Sequence, residues 1–97
     1  MATYMIFIRE GEVVDQAAMD AYRAGNRSGR TAGTEMKPLV AYGSMETYEG
    51  AAPDGIAVLE FPDAEAAKGW YFSEDYQARA KLRQQAAPYR CVMVEGI

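Results

Sequence analysis

The chain is predicted to fold as an α+β sandwich, with four antiparallel strands backed by helices on one face. Three observations predict it. Runs of β-forming residues at 3–8, 37–42, 56–61 and 89–95 have helical patterns after the first and the third. Proline, glycine, Asp or Ser stands at most junctions, where strands stop and helices are capped. At 97 residues the chain has room for one domain, with a high surface-to-volume ratio that a partner would relieve.

Residues 3–8 alternate Tyr4, Ile6 and Ile8 with Met5 and Phe7, so both faces of the first strand are apolar and both need cover. Glu10-Gly11 turns the chain. Asp15 is placed to cap the first helix, with Val14 and Met19 at the two positions of a hydrophobic staple. Ala18, Met19 and Tyr22 then share an inward face. Arg23, Arg27 and Arg30 form a stripe if the helix lasts that long. It reads first as a solvated face near the negative end of the helix dipole, and second as an anion site. Gly25, Gly29 and Gly33 leave the end of this helix open.

The second strand spans 37–42, with Pro38 marking an edge or a strand start. Gly43-Ser44 breaks it, residues 45–48 are expected to add a short strand, and 49–55 form a loop. Residues 56–61 are apolar except for Glu60, and Pro62, lacking an N–H, ends that strand. Asp63 caps a helix rich in Ala, with Glu65 at its positive end. Ser73, followed by Glu74 and Asp75, reads as a second cap, so the helix should break near Ser73 and run to about Ala86. After Pro88 the last strand alternates Tyr89, Cys91 and Met93 with Arg90, Val92 and Val94.

Strand, helix, strand, strand, helix, strand makes two βαβ halves, the order of a ferredoxin-like sandwich with an antiparallel sheet. Helices cover one face of such a sheet. The other is too apolar here for water, and a second copy, related by a two-fold axis, is its natural cover. A homodimer is therefore expected from patterning alone.

Ten basic against 14 acidic residues give a net charge of −4, which argues against nucleic acid as a partner. No stretch has the length and apolarity of a membrane span, and no secretory signal pattern opens the chain. Cys91 is the only cysteine, which excludes an internal disulfide; together these features favour the cytoplasm. The absence of histidine removes Ser-His-Asp and Cys-His nucleophile pairs, histidine-ligated haem and most catalytic zinc sites. No glycine loop matches a phosphate-binding fingerprint, and neither cofactor nor metal is expected.

The run Glu60-Phe61-Pro62, then Glu65-Ala66-Ala67, Trp70-Tyr71, Ser73 and Tyr76-Gln77, resembles the domain-of-unknown-function thirteen-thirty family. The likeness extends over nearly the whole chain, including 4–8, Glu49-Gly50, Leu82-Arg83 and the closing Val94-Glu95-Gly96. That resemblance implies small bacterial proteins of the dimeric α/β-barrel superfamily, in which two ferredoxin-like sheets pair. It also implies a small-molecule site between the helices and the sheet of each protomer. Tyr22, Tyr42, Glu60, Trp70, Tyr76 and Arg83 are the candidates to line it.

Each candidate has a plainer alternative. Glu60 is either buried with a partner or facing solvent on a strand near an edge. Trp70 and Tyr76 are core aromatics, or else a wall for a planar ligand. Arg83 is a surface helix residue, an ion-pair partner of Glu60 or Glu74, or a carboxylate clamp. Cys91 reads as a small buried hydrophobe. Some cofactor-free monooxygenases of the superfamily use Asn, Trp, Tyr and Arg around a phenolic substrate, but Asn26 falls in no matching motif and takes no role here. The reading is a homodimer that binds a small aromatic or carboxylate molecule. The alternative is a cofactor-independent monooxygenase or isomerase-like enzyme of the same superfamily.

Overall fold

The computed structural model describes residues 1–28 and 35–97, without the side chains of residues 27 and 28. Its elements run β1 (Thr3–Arg9), α1 (Gln16–Ser28), β2 (Lys37–Ala41), β3 (Gly55–Phe61), α2 (Ala64–Tyr71), α3 (Glu74–Ala86) and β4 (Tyr89–Glu95). The strands form one antiparallel sheet in the order β2-β3-β1-β4, which is the ferredoxin-like arrangement expected.

The caps form as the sequence requires. Asp15 accepts the Ala18 N–H at 3.0 Å, Asp63 that of Ala66 at 2.8 Å, and Ser73 that of Tyr76 at 3.2 Å. The Ser73 hydroxyl also donates to the Trp70 carbonyl at 2.7 Å, so one side chain closes α2 and opens α3. The expected staple does not form. Met19 is buried, but Val14 is 78% exposed, and its N–H donates to the Ala86 carbonyl at 2.7 Å. Residues 45–48 form no strand; Met45 and Tyr48 are exposed. Arg23 is exposed, while Arg30, Gly29 and Gly33 lie outside the described residues, as does the side chain of Arg27.

Register sorts the sheet into two faces, because residues paired directly across an antiparallel ladder share a face. Thr3, Met5, Phe7 and Arg9 of β1 pair with Phe61, Leu59, Ala57 and Gly55 of β3 and with Glu95, Met93, Cys91 and Tyr89 of β4. This row faces the helices, and Phe7 meets the Trp70 ring edge-on at 6.3 Å. Phe61, Met19, Ala67, Trp70, Tyr76 and Ala80 complete the core. The opposite face carries Tyr4, Ile6 and Ile8, flanked by Ile56, Val58 and Glu60 on one side and Arg90, Val92 and Val94 on the other. Val92 and Val94 are each 46% exposed on this face, which no element among the described residues covers.

The inner face of α3 is unusual for what it buries. Tyr76, Arg79, Ala80, Arg83 and Ala86 recur at helical spacing, and two of the five are arginines. Arg79 is held by α1 and by its own helix. Its Nε donates to Asn26 at 3.1 Å, and Nη1 forms an ion pair with Asp75 at 2.6 Å. Among the described residues Arg83 has no ion pair, and the Tyr76 phenol is its hydrogen-bonding neighbour.

Candidate functional site

Arg83 lies between the sheet and α3 and is only 2% exposed. Its guanidinium carbon sits 5.1 Å from the centre of the Phe7 ring and 4.9 Å from that of Tyr89. Among the described residues no carboxylate forms an ion pair with it, and its buried Nε has no hydrogen-bond partner. A buried charge without a counter-ion is costly, and stacking on two rings offsets only part of that cost.

Phenols surround the cation. Tyr22 and Tyr76 share a hydrogen bond at 2.9 Å, their rings edge to face. Tyr42 and Tyr89 share another, also at 2.9 Å. Tyr42 leaves β2 with a positive φ of 56°, a conformation that a bulky side chain adopts only when its surroundings hold it there. Its ring then lies over Gly55, where a Cβ would stand 2.7 Å from Tyr42 Cδ1; only glycine leaves that space.

The electrostatics hold the phenols protonated and the guanidinium charged. Tyr42 sits at the rim, 37% exposed; partial desolvation, then the Tyr89 hydrogen bond, push its phenol above the ordinary range, with Arg83 pulling the other way. Burial and the neighbouring Tyr22 do the same to Tyr76. Both phenols keep their protons at neutral pH. Burial also opposes the charge on Arg83, but the Tyr76 and Tyr22 phenols and the Cys91 thiol outweigh it and raise its pKa. Those partners are uncharged near neutrality, so there the rings and hydroxyls are what face the cation. Burial raises the Cys91 thiol against the lowering effect of Arg83.

Four of the six candidates therefore come together: Tyr22, Tyr42, Tyr76 and Arg83. Trp70 lies beside the group rather than in it. It is 8% exposed and packs against Tyr76 at a ring separation of 4.0 Å, with Phe61 at 5.5 Å. Glu60 does not join the group. Register places it on the uncovered sheet face, beside Tyr4 and Lys37, which removes the alternative of a Glu60–Arg83 ion pair. Nor does Glu74 pair with Arg83, and the reading of Arg83 as a surface residue is replaced by full burial.

Two residues were missed. Tyr89 opens β4 in phase with Cys91 and Met93, and that alternation was a usable signal for its inward direction. Arg9 is the last residue of β1, in phase with Met5 and Phe7, just past the end expected for the strand. Its Nε is also buried without a partner. Among the described residues no group of His, Cys, Asp or Glu could hold a metal ion, and no helix is long and apolar enough to cross a membrane.

A four-stranded antiparallel sheet, helices on one face and a cation enclosed between the layers define a small ferredoxin-like α+β protein with a polar cluster inside the sandwich. The chain belongs to the family described as domain of unknown function DUF1330, whose sequence model matches residues 2–97. Three solved structures share the fold. A dimeric ferredoxin-like protein of unknown function from Jannaschia is 13% identical, with 99% of this chain and 100% of that one covered and a TM-score of 0.69. A dimeric protein of unknown function with a ferredoxin-like fold from Bacteroides fragilis is 14% identical, with 98% and 96% covered and a TM-score of 0.62. An ethd (ethyl tert-butyl ether) family protein from Bacillus halodurans is 17% identical, with both chains covered in full and a TM-score of 0.66. At these identities the likeness extends to the fold alone. No functionally curated protein matches the chain.

Proposed function

We propose that the protein is a homodimer, paired through its uncovered sheet face as a dimeric α/β barrel, and that each protomer binds a small carboxylate-bearing molecule between helices and sheet. One observation carries the ligand reading: Arg83 is 2% exposed, stacked on two rings, and has neither an ion pair nor a partner for its Nε among the described residues. An arginine so placed is pre-set for an anion, which would supply the missing charge and accept the free N–H. Phe7 and Tyr89 give such a ligand apolar surface, which accords with an aromatic acid. The dimer is supported by the apolar face and by the dimeric character of the Jannaschia and Bacteroides proteins. The lone Cys91 and the acidic net charge accord with a cytoplasmic protein that does not bind nucleic acid.

Binding is favoured over oxygenase or isomerase chemistry. A general base works best when it titrates near neutrality, and the Tyr42 and Tyr76 phenols are both shifted away from it. Native mass spectrometry of freshly purified protein should find two chains carrying a small acid. Calorimetry with benzoate as probe should show binding that Arg83→Met abolishes. A bare monomer would overturn the dimer; benzoate and butyrate both failing to bind, or binding unchanged in Arg83→Met, would overturn the site.

A further inference from the structure

The cluster around Arg83 does not end at Arg83. Arg9 points into the same layer from the end of β1, directly opposite Tyr89 in the ladder. One of its terminal nitrogens donates to the Asp54 carbonyl at 2.9 Å, and its buried Nε has no partner. Its guanidinium carbon lies 3.7 Å from the point above Gly55 where the Tyr42 ring also passes. Tyr42 and Tyr89, joined through their hydroxyls, thus stand between two guanidiniums, with Arg9 on the Tyr42 side and Arg83 stacked on Tyr89. Among the described residues neither arginine has a carboxylate partner.

Counting donors sharpens this. Each phenol has one O–H, and a hydrogen bond between two phenols uses one proton of the two. The Tyr22–Tyr76 and Tyr42–Tyr89 pairs therefore each keep one O–H free. With the two Nε–H groups, which have no partner among the described residues, the two pairs give the site two sets of donors, each set built on one arginine and one phenol pair. A neutral ligand would leave both charges without a counter-ion, and a monoanion would answer one.

We infer that the site has two anionic subsites, and that its ligand is a small dicarboxylate with one carboxylate on Arg83 and the Tyr22–Tyr76 pair and the other on Arg9 and the Tyr42–Tyr89 pair. This rests on the reading that the space between helices and sheet binds a ligand. Arg83 anchors, and Arg9 selects for the second charge. The positive φ of Tyr42 and the bare Gly55 beneath it serve the second subsite, because they set the phenol beside Arg9.

The test compares succinate and glutarate with butyrate, which has one carboxylate, by calorimetry on the intact protein at low salt. One of the two diacids should bind at least about tenfold more tightly than butyrate, the scale of one added charge-assisted contact. Arg9→Gln should reduce the diacids to the butyrate level, whereas Arg83→Gln should lose all three. Tyr42→Phe, which removes one phenol and no charge, should weaken the diacids alone, and it keeps the test open if Arg9→Gln fails to fold. Diacids and butyrate binding alike, in wild type and in Tyr42→Phe, would overturn the second subsite while Arg83-dependent butyrate binding upheld the first. If neither the three acids nor benzoate binds, both readings fall.

Discussion

Replacing Arg83 with Met separates a cation kept for a ligand from one kept for the fold. Methionine preserves a long unbranched side chain and adapts to the same space. In the free protein the substitution removes a guanidinium that is 2% exposed and has no ion pair among the described residues. The penalty for burying an unpaired charge is several kcal/mol, taken here as ~4 kcal/mol. The Phe7 and Tyr89 rings, 5.1 and 4.9 Å from the cation, return ~1 kcal/mol each, and the Tyr76 hydrogen bond ~1 kcal/mol more. The balance leaves Arg83→Met more stable than wild type by ~1 kcal/mol at neutral pH, a rise in Tm on the order of 5 °C for a domain of this size. Urea unfolding at one fixed protein concentration measures it, with wild type first stripped of any co-purified ligand, since a bound acid would mask the gain. A loss of ~1 kcal/mol or more, with an unchanged m-value, would refute the reasoning. Arg83 would then be a structural cation held by its rings, and the argument for a ligand would lose its main support.

Three further outcomes follow from the same contacts. Ser73→Ala removes the acceptor for the Tyr76 N–H and the donor to the Trp70 carbonyl, and should cost ~1 kcal/mol in urea unfolding. Gly25→Ala gains ~1 kcal/mol of helix propensity but sets a Cβ 2.6 Å from Arg79 Cδ, in a side chain pinned by Asn26 and Asp75; crowding of ~2 kcal/mol should leave a net loss near 1 kcal/mol, read from the thermal midpoint. Asp15 has its pKa lowered below 3.8 by the Ala18 N–H and then by Gln85, so its stabilisation is full above that value and is lost as pH falls through the lower, folded one; Asp15→Asn should flatten the urea midpoint between about pH 5 and pH 3 relative to wild type.

The strands and caps were legible because each depends on neighbours in sequence. Pro62 ends β3 and Asp63 starts α2 within two residues. Where long-range contacts decide, local pattern falls short. Val14 is drawn outward because its N–H bonds to the Ala86 carbonyl, at the other end of the chain. Residues 45–48 lack a strand to pair with, since the neighbour of β2 is taken up along 37–41. The site was half legible. Tyr22 falls on an inward helical face and Tyr76 reads as a core aromatic, whereas spacing says nothing of Tyr42, which stays 37% exposed. Arg83 has the right spacing too, seven residues after Tyr76, but a periodicity reading scores arginine as polar and turns it to solvent. Arg9 was lost for one residue of strand length, which register alone supplies.

Glu60 shows how far the two halves of the proposed function can be pulled apart. It is half-buried, paired across the ladder with Tyr4 on one side and Lys37 on the other, amid Ile6, Val58 and Val94 on the uncovered face. The proposed ligand site lies through the sheet, on the side of Phe7 and Tyr89. A two-fold axis would present any change at Glu60 twice in a self-complementary interface. Glu60→Arg reverses a charge next to Lys37 on a face that has to be desolvated, and should weaken dimerisation by about tenfold or more, read by sedimentation across a concentration series. Butyrate affinity per chain should not change, because no contact of Glu60 reaches Arg83. An undisturbed dimer with lost butyrate binding would reverse the assignment of the two faces, leaving the sheet's open side as the place where the ligand is held.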